Sequence, residues 1–468
     1  GQLLSPLDAA PDCPSCGGLL EIIHRAPVDE FNAPLSADAI KHRFSQHCCA
    51  MPMGHESGVW RFESIVMPGA GEAIVSHPEG NTPLLSRAAI SKYTGCDGLL
   101  IKHEGHNPTG SFKDRGMTVG TTQAVRIGAS AVACASTGNT SAALASYAAQ
   151  AGIPGLVFVP AGKIALGKLA QTLSYGARTL LVKGDFDECL RLVQQASREL
   201  GIYLLNSINP WRVEGQKTIV FEMLQQLGWN APDFIVLPAG NLGNTAAFGK
   251  ALREAKALGL ISKTPRLVSV QAAGAAPFAR AFREEFATRY TVQAETIATA
   301  IRIGDPASWD RAVRAIRETD GLVISATDDE IIDAKVTIDG AGVGCEPASA
   351  ASVAGVRQLV RDGIIGAGDT VVAVLTGHVL KDPGMLVELH QREDYARANR
   401  PIEIDATVSA VEAVLLEVAL GVDPHLGDQH RAVFMRYQRA PVIGERLRQH
   451  RHDTVGEIDR VAPLARLS

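Results

Sequence analysis

The chain has 468 residues, of which 46% are hydrophobic and 20% charged. These are ordinary values for a globular protein of two or three domains. The net charge is −5, from 45 basic and 50 acidic side chains. This balance excludes the basic surface that nucleic-acid-binding proteins and proteins of anionic membrane surfaces need. We therefore expect neither nucleic acid nor a membrane as a partner.

The distribution of polar residues and cysteines narrows the class further. No charged residue lies between Arg126 and Lys163, but serine, threonine, asparagine, glycine and proline interrupt that stretch. A membrane-spanning helix needs about 20 predominantly apolar residues in succession. The eight cysteines are scattered, and the first residues show neither a basic flank nor an apolar run. We therefore expect a cytoplasmic protein with reduced thiols.

The middle of the chain alternates short apolar segments with segments of helical periodicity. Helical periodicity is seen at 185–200 and 244–259. The apolar segments are mostly continuous, which is typical of parallel strands covered on both faces. Strands are predicted at 98–104, 131–136, 155–160, 179–184, 202–206, 233–238, 266–271 and 370–375. Alternation of strands and helices predicts a doubly wound α/β fold.

The two ends of the chain differ from this middle. Residues 1–75 show weak periodicity, and the alternation stops after about Lys381. The tail is rich in arginine and histidine, with one predicted helix at 407–420. We expect three parts: an N-terminal segment (1–75), a catalytic region (76–384) and a mostly helical C-terminal extension (385–468). A basic tail of this kind is usually a solvated surface or a subunit contact.

Two loops at predicted strand ends contain residues suited to chemistry. Lys113 follows a Gly-Ser-Phe turn and begins a helix. A lone lysine is usually solvated, but the positive end of a helix dipole lowers the pKa of an amine, which favours Schiff-base chemistry. The segment STGNTS (136–141) lies between a strand and an alanine-rich helix. Its backbone amides predict an anion site, although an ordinary capped turn would have the same sequence.

Two further loops have the same position at strand ends. PAGNLGNT (238–245) carries Gly240 and Gly243, which allow backbone amides to close around a phosphate. TGH (376–378) follows the last predicted strand. In open α/β sheets, ligands bind beyond the carboxyl ends of the strands. We therefore expect all four loops to form one site.

Taken in order from about Gly58 to Pro383, these segments resemble the pyridoxal-phosphate enzymes of fold type II, the tryptophan synthase β-like group. Within that group they are similar to the threonine synthase family. The matching segments are SGVWRF, GNTPL, HEGHNPTGSFKDRGM, STGNTSAALASYAAQAG, PAGKIALGKLAQ, GARTLLVKGDFD, NSINPWRVEGQKT, PAGNLGNT, QAAGAAP, TAIRIGDPASW, CEPASAA and TGHVLKDP. The resemblance implies two doubly wound domains with the site between them, and a small subdomain of about 120–215 inserted in the larger one.

The resemblance also implies pyridoxal phosphate as cofactor and a role for each matching residue. Lys113 would bind the cofactor covalently, Asn139 would bond its ring hydroxyl oxygen, and Thr376 would face its ring nitrogen. The residues implied to cradle the cofactor phosphate are Gly240, Asn241, Leu242, Gly243 and Asn244.

The substrate that the family implies is the phosphorylated amino acid O-phosphohomoserine. Water would replace the phosphate in a β,γ-replacement to give threonine, and the enzyme would be a homodimer. The residues implied to bind the substrate phosphate are Asn206, Ser207 and Arg212. Those implied to bind its carboxylate are Ser136, Thr137 and Thr140.

The resemblance is incomplete at the N-terminus, and other functions stay open. DCPSCGGLLEI (12–22) resembles one half of a zinc ribbon, whereas a four-cysteine zinc site needs two such pairs. We therefore assign no metal ligand. The open alternatives are a cysteate synthase, a serine/threonine dehydratase relative, and a non-catalytic paralogue that binds pyridoxal phosphate.

Overall fold

A computed structural model describes residues 3–8, 10–48, 55–161, 169–183, 186–395 and 397–420. The chain divides into two compact units, one up to Asp382 and a second from Pro383 onward. The division coincides with the point at which strand–helix alternation ends in the sequence. Most of the predicted C-terminal extension, residues 421–468, lies outside the described residues.

The first unit contains ten described strands in two sheets. They are β1 (Leu84–Leu85), β2 (Leu99–His103), β3 (Ala131–Ala135), β4 (Gly155–Pro160), β5 (Arg178–Val182), β6 (Ile202–Leu204), β7 (Phe234–Pro238), β8 (Arg266–Ala272), β9 (Leu322–Ala326) and β10 (Val371–Leu375). One sheet has the order β1-β2-β10-β7-β8-β9 and the other the order β5-β4-β3-β6. All pairs are parallel except β1 with β2. The predicted α/β class is confirmed.

Helices follow most of these strands. Those of the first unit are α1 (Ala37–His47), α2 (Glu63–Val66), α3 (Ala88–Thr94), α4 (Lys113–Arg126), α5 (Asn139–Ala151), α6 (Ala170–Ser174), α7 (Phe186–Leu200), α8 (Pro210–Gln226), α9 (Gly243–Ala257), α10 (Pro277–Phe282), α11 (Trp309–Glu318), α12 (Asp328–Gly340) and α13 (Pro347–Arg361). The start of α8 shows how local sequence determines where a helix begins. Asn209 accepts hydrogen bonds from Trp211 N and Arg212 N at the start of α8, and Pro210 occupies its first turn.

The strands are buried as their composition predicts, with one exception. β3, β7 and β10 are buried along their whole length, because helices cover both faces of each sheet. β5 is an edge strand whose Leu180 and Leu181 are exposed, so the expectation of burial on both faces is wrong there. The predictions omit β1 and β9. β9 has a half-buried pattern, and β1 has only two residues.

The N-terminal segment forms a tight turn around Cys13 and Cys16. Gly17 N donates to Cys13 O, Cys13 N donates to Gly18 O, and Asp12 pairs with Leu19. This turn agrees with half of a ribbon. Among the described residues, no group of three or more histidine, cysteine or acidic side chains is arranged to hold a metal ion, so a zinc ribbon is not confirmed.

The second unit contains two described helices, α14 (Pro383–Gln391) and α15 (Val408–Leu420). The second of these confirms the predicted helix at 407–420. Within the described part of the chain, every helix is too short or too polar to cross a bilayer.

Candidate active site

The predicted loops follow strands that are neighbours in their sheets. In the larger sheet β10 lies between β2 and β7, and in the smaller one β3 lies beside β6. Parallel strands end at the same sheet edge, so the loops after them converge. Two hydrogen bonds connect the loops of one sheet with those of the other. Asn139 Nδ2 donates to Glu346 Oε2 at 2.9 Å, and Asn241 Nδ2 donates to Ser207 Oγ.

Lys113 is held where the β2 and β10 loops meet. Ser111 pairs with Gly377, and Phe112 N donates to Thr376 O at 3.0 Å. Both contacts tie the two residues before α4 to the end of β10. The ammonium nitrogen of Lys113 lies 4.2 Å from the centre of the Phe112 ring.

The environment of Lys113 favours its neutral amine. Although the residue keeps some accessible surface, desolvation by the surrounding protein and then the nearby charge of Arg212 lower its pKa to about 7, against a weaker opposing effect of Glu346. The sequence argument attributes a lowered pKa to the helix dipole. Burial is the larger cause in the structure. An amine with this pKa is a nucleophile in neutral water.

Arg212 is buried on α8 with most of its donors unused. It is 1% exposed, and Nη1 donates to Leu205 O at 2.9 Å. Nε and Nη2 have no hydrogen-bond partner among the described residues. Desolvation lowers its pKa to about 10. Buried donors of a guanidinium without partners are rare in native proteins, and they fit a bidentate anion such as phosphate.

The glycine-rich loop after β7 leads directly into α9. Leu242 has a left-handed backbone with φ of 62°, and Gly243 is the first residue of the helix. A Cβ on Gly240 would lie 2.8 Å from Ile301 Cα, so only glycine allows this approach. Asn241 Oδ1 accepts from Ala307 N at 2.7 Å, and Asn244, the next residue of α9, is buried. Such a loop presents backbone amides to an anion at a helix N-terminus.

The loop after β3 lies at the start of α5. Ser136 Oγ accepts from Gly138 N at 3.2 Å, and Asn139 begins the helix. Thr137 and Thr140 are half-buried in the same turn. The five residues therefore lie at one helix N-terminus, between β3 and α5, where the sequence predicts a turn from a strand to a helix.

Asn206 and Ser207 follow β6 and differ in what they contact. Asn206 Oδ1 accepts from Ala135 N at 3.0 Å, so its side chain fixes the end of β3. Ser207 instead receives the side-chain amide of Asn241 from the glycine-rich loop. Ser207 therefore connects the predicted substrate-phosphate site with the glycine-rich loop. Asn206 fixes the loop that contains Ser207 to the end of β3.

Sequence reasoning missed Glu346 and Ser349, which lie at the centre of the site. Glu346 precedes α13, is 4% exposed and contacts both Asn139 and Thr376. Ser349 contacts Thr376 at 3.0 Å through its hydroxyl. The matching segment CEPASAA contains both residues, and it was the one signal in the sequence that could have identified them.

A buried ion-pair network supports the loop that carries Lys113. Arg115 donates to Glu104 Oε2 at 2.7 Å and to Glu222 Oε1 at 2.8 Å, and Lys102 donates to the same Glu222 oxygen at 2.6 Å. All four side chains are fully or almost fully buried. Fully paired charges of this kind hold α4, β2 and α8 in register.

The geometry fits a cofactor that carries both a carbonyl and a phosphate. Lys113 supplies an amine that is neutral near pH 7, and the glycine-rich loop supplies backbone donors at a helix N-terminus. Arg212 supplies two further donors for a second anion. This combination is suited to covalent catalysis on a phosphorylated substrate.

Comparison with known proteins defines the class. Residues 75–377 match the model of the pyridoxal-phosphate dependent enzyme family. The fold is that of maize serine racemase, with a TM-score of 0.58 and 22% identity over 71% of this chain and 95% of that one. An L-serine ammonia-lyase from Rhizomucor miehei gives 0.58 and 22% over 68% and 99%. The protein is a pyridoxal-phosphate dependent enzyme of fold type II.

Curated relatives define the family within this class. A threonine synthase from Methanosarcina acetivorans is 44% identical over 405 residues, 86% of this chain and 94% of its own length. One from Mycobacterium bovis is 50% identical over 307 residues, 65% and 83%. Threonine synthase 2 of Arabidopsis thaliana is 42% identical over 377 residues, 77% and 72%. The chain belongs to the threonine synthase family, whose members are pyridoxal-phosphate dependent lyases.

Proposed function

We propose that this chain converts O-phosphohomoserine and water to threonine and phosphate. Family membership supports the reaction, and one observation supports the phosphorylated substrate. Arg212 is buried beside Lys113, with two guanidinium nitrogens that have no hydrogen-bond partner in the described part of the chain. A substrate without a phosphate would leave both donors unsatisfied, at about 1–3 kcal/mol each.

The cofactor would be held by the loops that the sequence indicated. We propose that Lys113 Nζ binds it covalently and that the backbone of Gly240–Asn244 holds its phosphate. Asn139 and Thr376 would contact the two polar positions of its ring. Pyridoxal phosphate, when bound, supplies a carbonyl for the substrate amine and a conjugated ring that accepts electron density from the substrate's α-carbon.

The substrate would be held at both ends. The carboxylate would lie at the N-terminus of α5, with Ser136, Thr137 and Thr140 around it, because backbone amides and the helix dipole favour an anion there. At the other end, Arg212 and Ser207 would bind the phosphate, with Asn206 fixing the loop beside them. With both ends bound in this way, the carbon chain of the substrate would lie beside Lys113.

Lys113 would move the protons of the reaction. Its lowered pKa leaves a useful fraction of free amine at neutral pH, so Nζ can remove the α-proton. A β-proton must leave before the phosphate departs from the γ-carbon, and protons return to the γ- and α-carbons as the product forms. Arg212 stabilises the negative charge that develops on the departing phosphate. Water then adds at the β-carbon, and the product is threonine.

A three-substrate assay tests this proposal against the alternatives. The purified holoenzyme is given O-phosphohomoserine, O-phosphoserine or threonine, and phosphate, amino acids and ketoacids are measured. We expect equal amounts of phosphate and threonine from the first substrate. Use of O-phosphoserine with sulfite would favour a cysteate synthase, and ketoacid from threonine a dehydratase. Lack of turnover with bound cofactor would favour a non-catalytic paralogue.

The proposal extends to assembly, location and domain limits. We propose a cytoplasmic homodimer, as the resemblance implies, with the small subdomain at about 120–215 within a catalytic region of 76–384 and flanking segments of 1–75 and 385–468. The four strands of the smaller sheet lie between Ala131 and Leu204, which supports that subdomain. Light scattering of the purified protein tests the dimer directly.

A further inference from the structure

The carboxyl group of Glu346 lies in the middle of the site, between Asn139 and Thr376. Its Oε2 accepts from Asn139 Nδ2 at 2.9 Å, and its Oε1 lies 3.3 Å from Thr376 Oγ1. A Cβ on Gly377 would come within 2.5 Å of Glu346 Cδ, so the glycine after Thr376 makes room for this group. Both neighbours are residues proposed to contact the cofactor ring, so the inference rests on the proposed function.

The donors and acceptors around Ser349 restrict the direction of these hydrogen bonds. Ser349 Oγ accepts from Thr376 N at 2.9 Å and from Gly377 N at 3.0 Å. A hydroxyl oxygen has two lone pairs, and both are then in use. The Ser349 hydrogen is therefore left to donate to Thr376 Oγ1, 3.0 Å away. Thr376 Oγ1 thus already accepts one hydrogen bond. Its own hydrogen can be donated either to Glu346 Oε1 or to the bound cofactor.

The charge state of Glu346 decides between these acceptors. An ionised carboxylate would accept the Thr376 hydrogen at Oε1. Thr376 could then not donate a hydrogen bond to the cofactor. A neutral acid carries its own hydrogen on Oε1 and donates it to the second lone pair of Thr376 Oγ1. The threonine hydrogen is then free for the cofactor. Glu346 is 4% exposed, and among the described residues its two carboxyl oxygens contact only the neutral side chains of Asn139 and Thr376. A buried carboxylate without a paired cation is costly, which favours the neutral acid.

We propose that Glu346 is a positioning residue that stays un-ionised, donates to Thr376 Oγ1 and so directs the Thr376 hydroxyl hydrogen to the ring nitrogen of the bound cofactor.

The charges around Glu346 are consistent with this state. Burial raises the pKa of its carboxyl group, and the hydrogen bond from Asn139, the charges of Lys381 and Lys113 and the contact with Thr376 only partly oppose that rise. Lys113 itself has a pKa near 7, so its attraction is weak above neutral pH. The preceding Cys345 is buried as a neutral thiol, because its pKa is strongly raised.

The test observes the ring nitrogen directly. Wild-type protein and variants are loaded with pyridoxal phosphate carrying ¹⁵N in the ring, and the ¹⁵N chemical shift is measured at neutral pH. A hydrogen bond donated to a pyridine nitrogen moves its signal upfield. Glu346→Gln has the shape of the neutral acid, with an oxygen to accept from Asn139 and an amide to donate to Thr376. We expect its signal to coincide with that of the wild type. Glu346→Ala should move it downfield.

Thr376→Val is the second arm, because valine keeps the shape of threonine without the hydroxyl. We expect the ring signal to move downfield in this variant. Three results would overturn the proposal: an upfield move in Glu346→Gln, failure of that variant to retain the cofactor, or an unchanged signal in Thr376→Val. Wild-type turnover of O-phosphohomoserine is measured on the same samples. Its absence would remove the proposed function, while the ring signals still decide the role of Glu346.

Discussion

Replacing Arg212 with methionine should stabilise the ligand-free protein while it destroys use of the phosphorylated substrate. Burial lowers the pKa of Arg212 from 12.5 to about 10. Folding therefore disfavours its charged form at every pH below about 10, by about 3 kcal/mol at neutral pH, since each pKa unit is about 1.4 kcal/mol. Methionine removes that cost but leaves Leu205 O without its donor, which costs about 1 kcal/mol. The net gain of about 2 kcal/mol should raise the unfolding temperature by a few degrees.

The same substitution should act in the opposite direction on catalysis. Two charge-assisted hydrogen bonds to the substrate phosphate are lost, each of about 1.5–3 kcal/mol. Together they correspond to a fall of roughly 10²–10⁴ in kcat/KM for O-phosphohomoserine. Phosphate release measures this fall, and absorbance of the bound cofactor shows whether pyridoxal phosphate is retained. Inorganic phosphate should raise the unfolding temperature of the wild type more than that of Arg212→Met.

Arg115→Met is the matched control. Arg115 is equally buried, but both its carboxylate partners are present, at 2.7 Å from Glu104 and 2.8 Å from Glu222. Its loss leaves buried charges without a partner and should destabilise the protein by about 3–5 kcal/mol. If Arg212→Met behaved like this control and kept its turnover, Arg212 would be a structural residue and the reasoning about free donors would be wrong.

Two further predictions concern the cofactor. With the pKa of Lys113 lowered to about 7, its free amine increases as the pH rises through 7, so covalent uptake of pyridoxal phosphate by the ligand-free protein should accelerate up to about pH 8 and then level off. Stopped-flow absorbance measures the rate, Lys113→Ala should abolish the reaction, and a rate that still climbs at pH 10 would contradict the lowered pKa. Gly240→Ala should destabilise the ligand-free fold, because its Cβ would lie 2.8 Å from Ile301 Cα, whereas in Gly243→Ala the nearest atom is Gln216 Oε1 at 3.6 Å. The second variant should therefore unfold as the wild type does, and any weakening of cofactor binding in it reports on the phosphate site; equal unfolding temperatures for both variants would refute the steric argument.

The sequence predicts those parts of the fold whose signal is local. The strand at 155–160 has the predicted limits, and α9 begins one residue before its predicted start, since a continuous apolar run or a cap next to glycine is visible within a few residues. β9 was missed although Leu322, Val323 and Ile324 form an apolar run. In the structure two of its three central residues are only half-buried, and the strand lies at the edge of its sheet beside β8. Burial of Leu180 and Leu181 was expected wrongly, because edge position depends on sheet order and not on composition.

In the site, too, features encoded in neighbouring residues were predicted, and features that depend on distant contacts were not. Loops at the carboxyl ends of strands could be identified from the strands themselves. The segment CEPASAA marks Glu346 only by resemblance, because the role of Glu346 depends on a contact with Asn139, 207 residues earlier in the chain. The low pKa of Lys113 was anticipated for a different reason, the dipole of α4, which is local, whereas its burial and the charge of Arg212 come from tertiary packing.

The close crossing of α4 and α8 explains how that packing sets the chemistry. A Cβ on Gly215 would lie 1.8 Å from Arg115 O, and one on Gly116 would lie 3.0 Å from Arg212 O. Two facing glycines thus let the backbones of the helices touch. The crossing fixes Arg212 beside the first turn of α4, where its charge helps to keep Lys113 neutral. One helix contact therefore serves both halves of the proposed reaction, because the same guanidinium that would bind the leaving phosphate also favours the free amine that would move the protons.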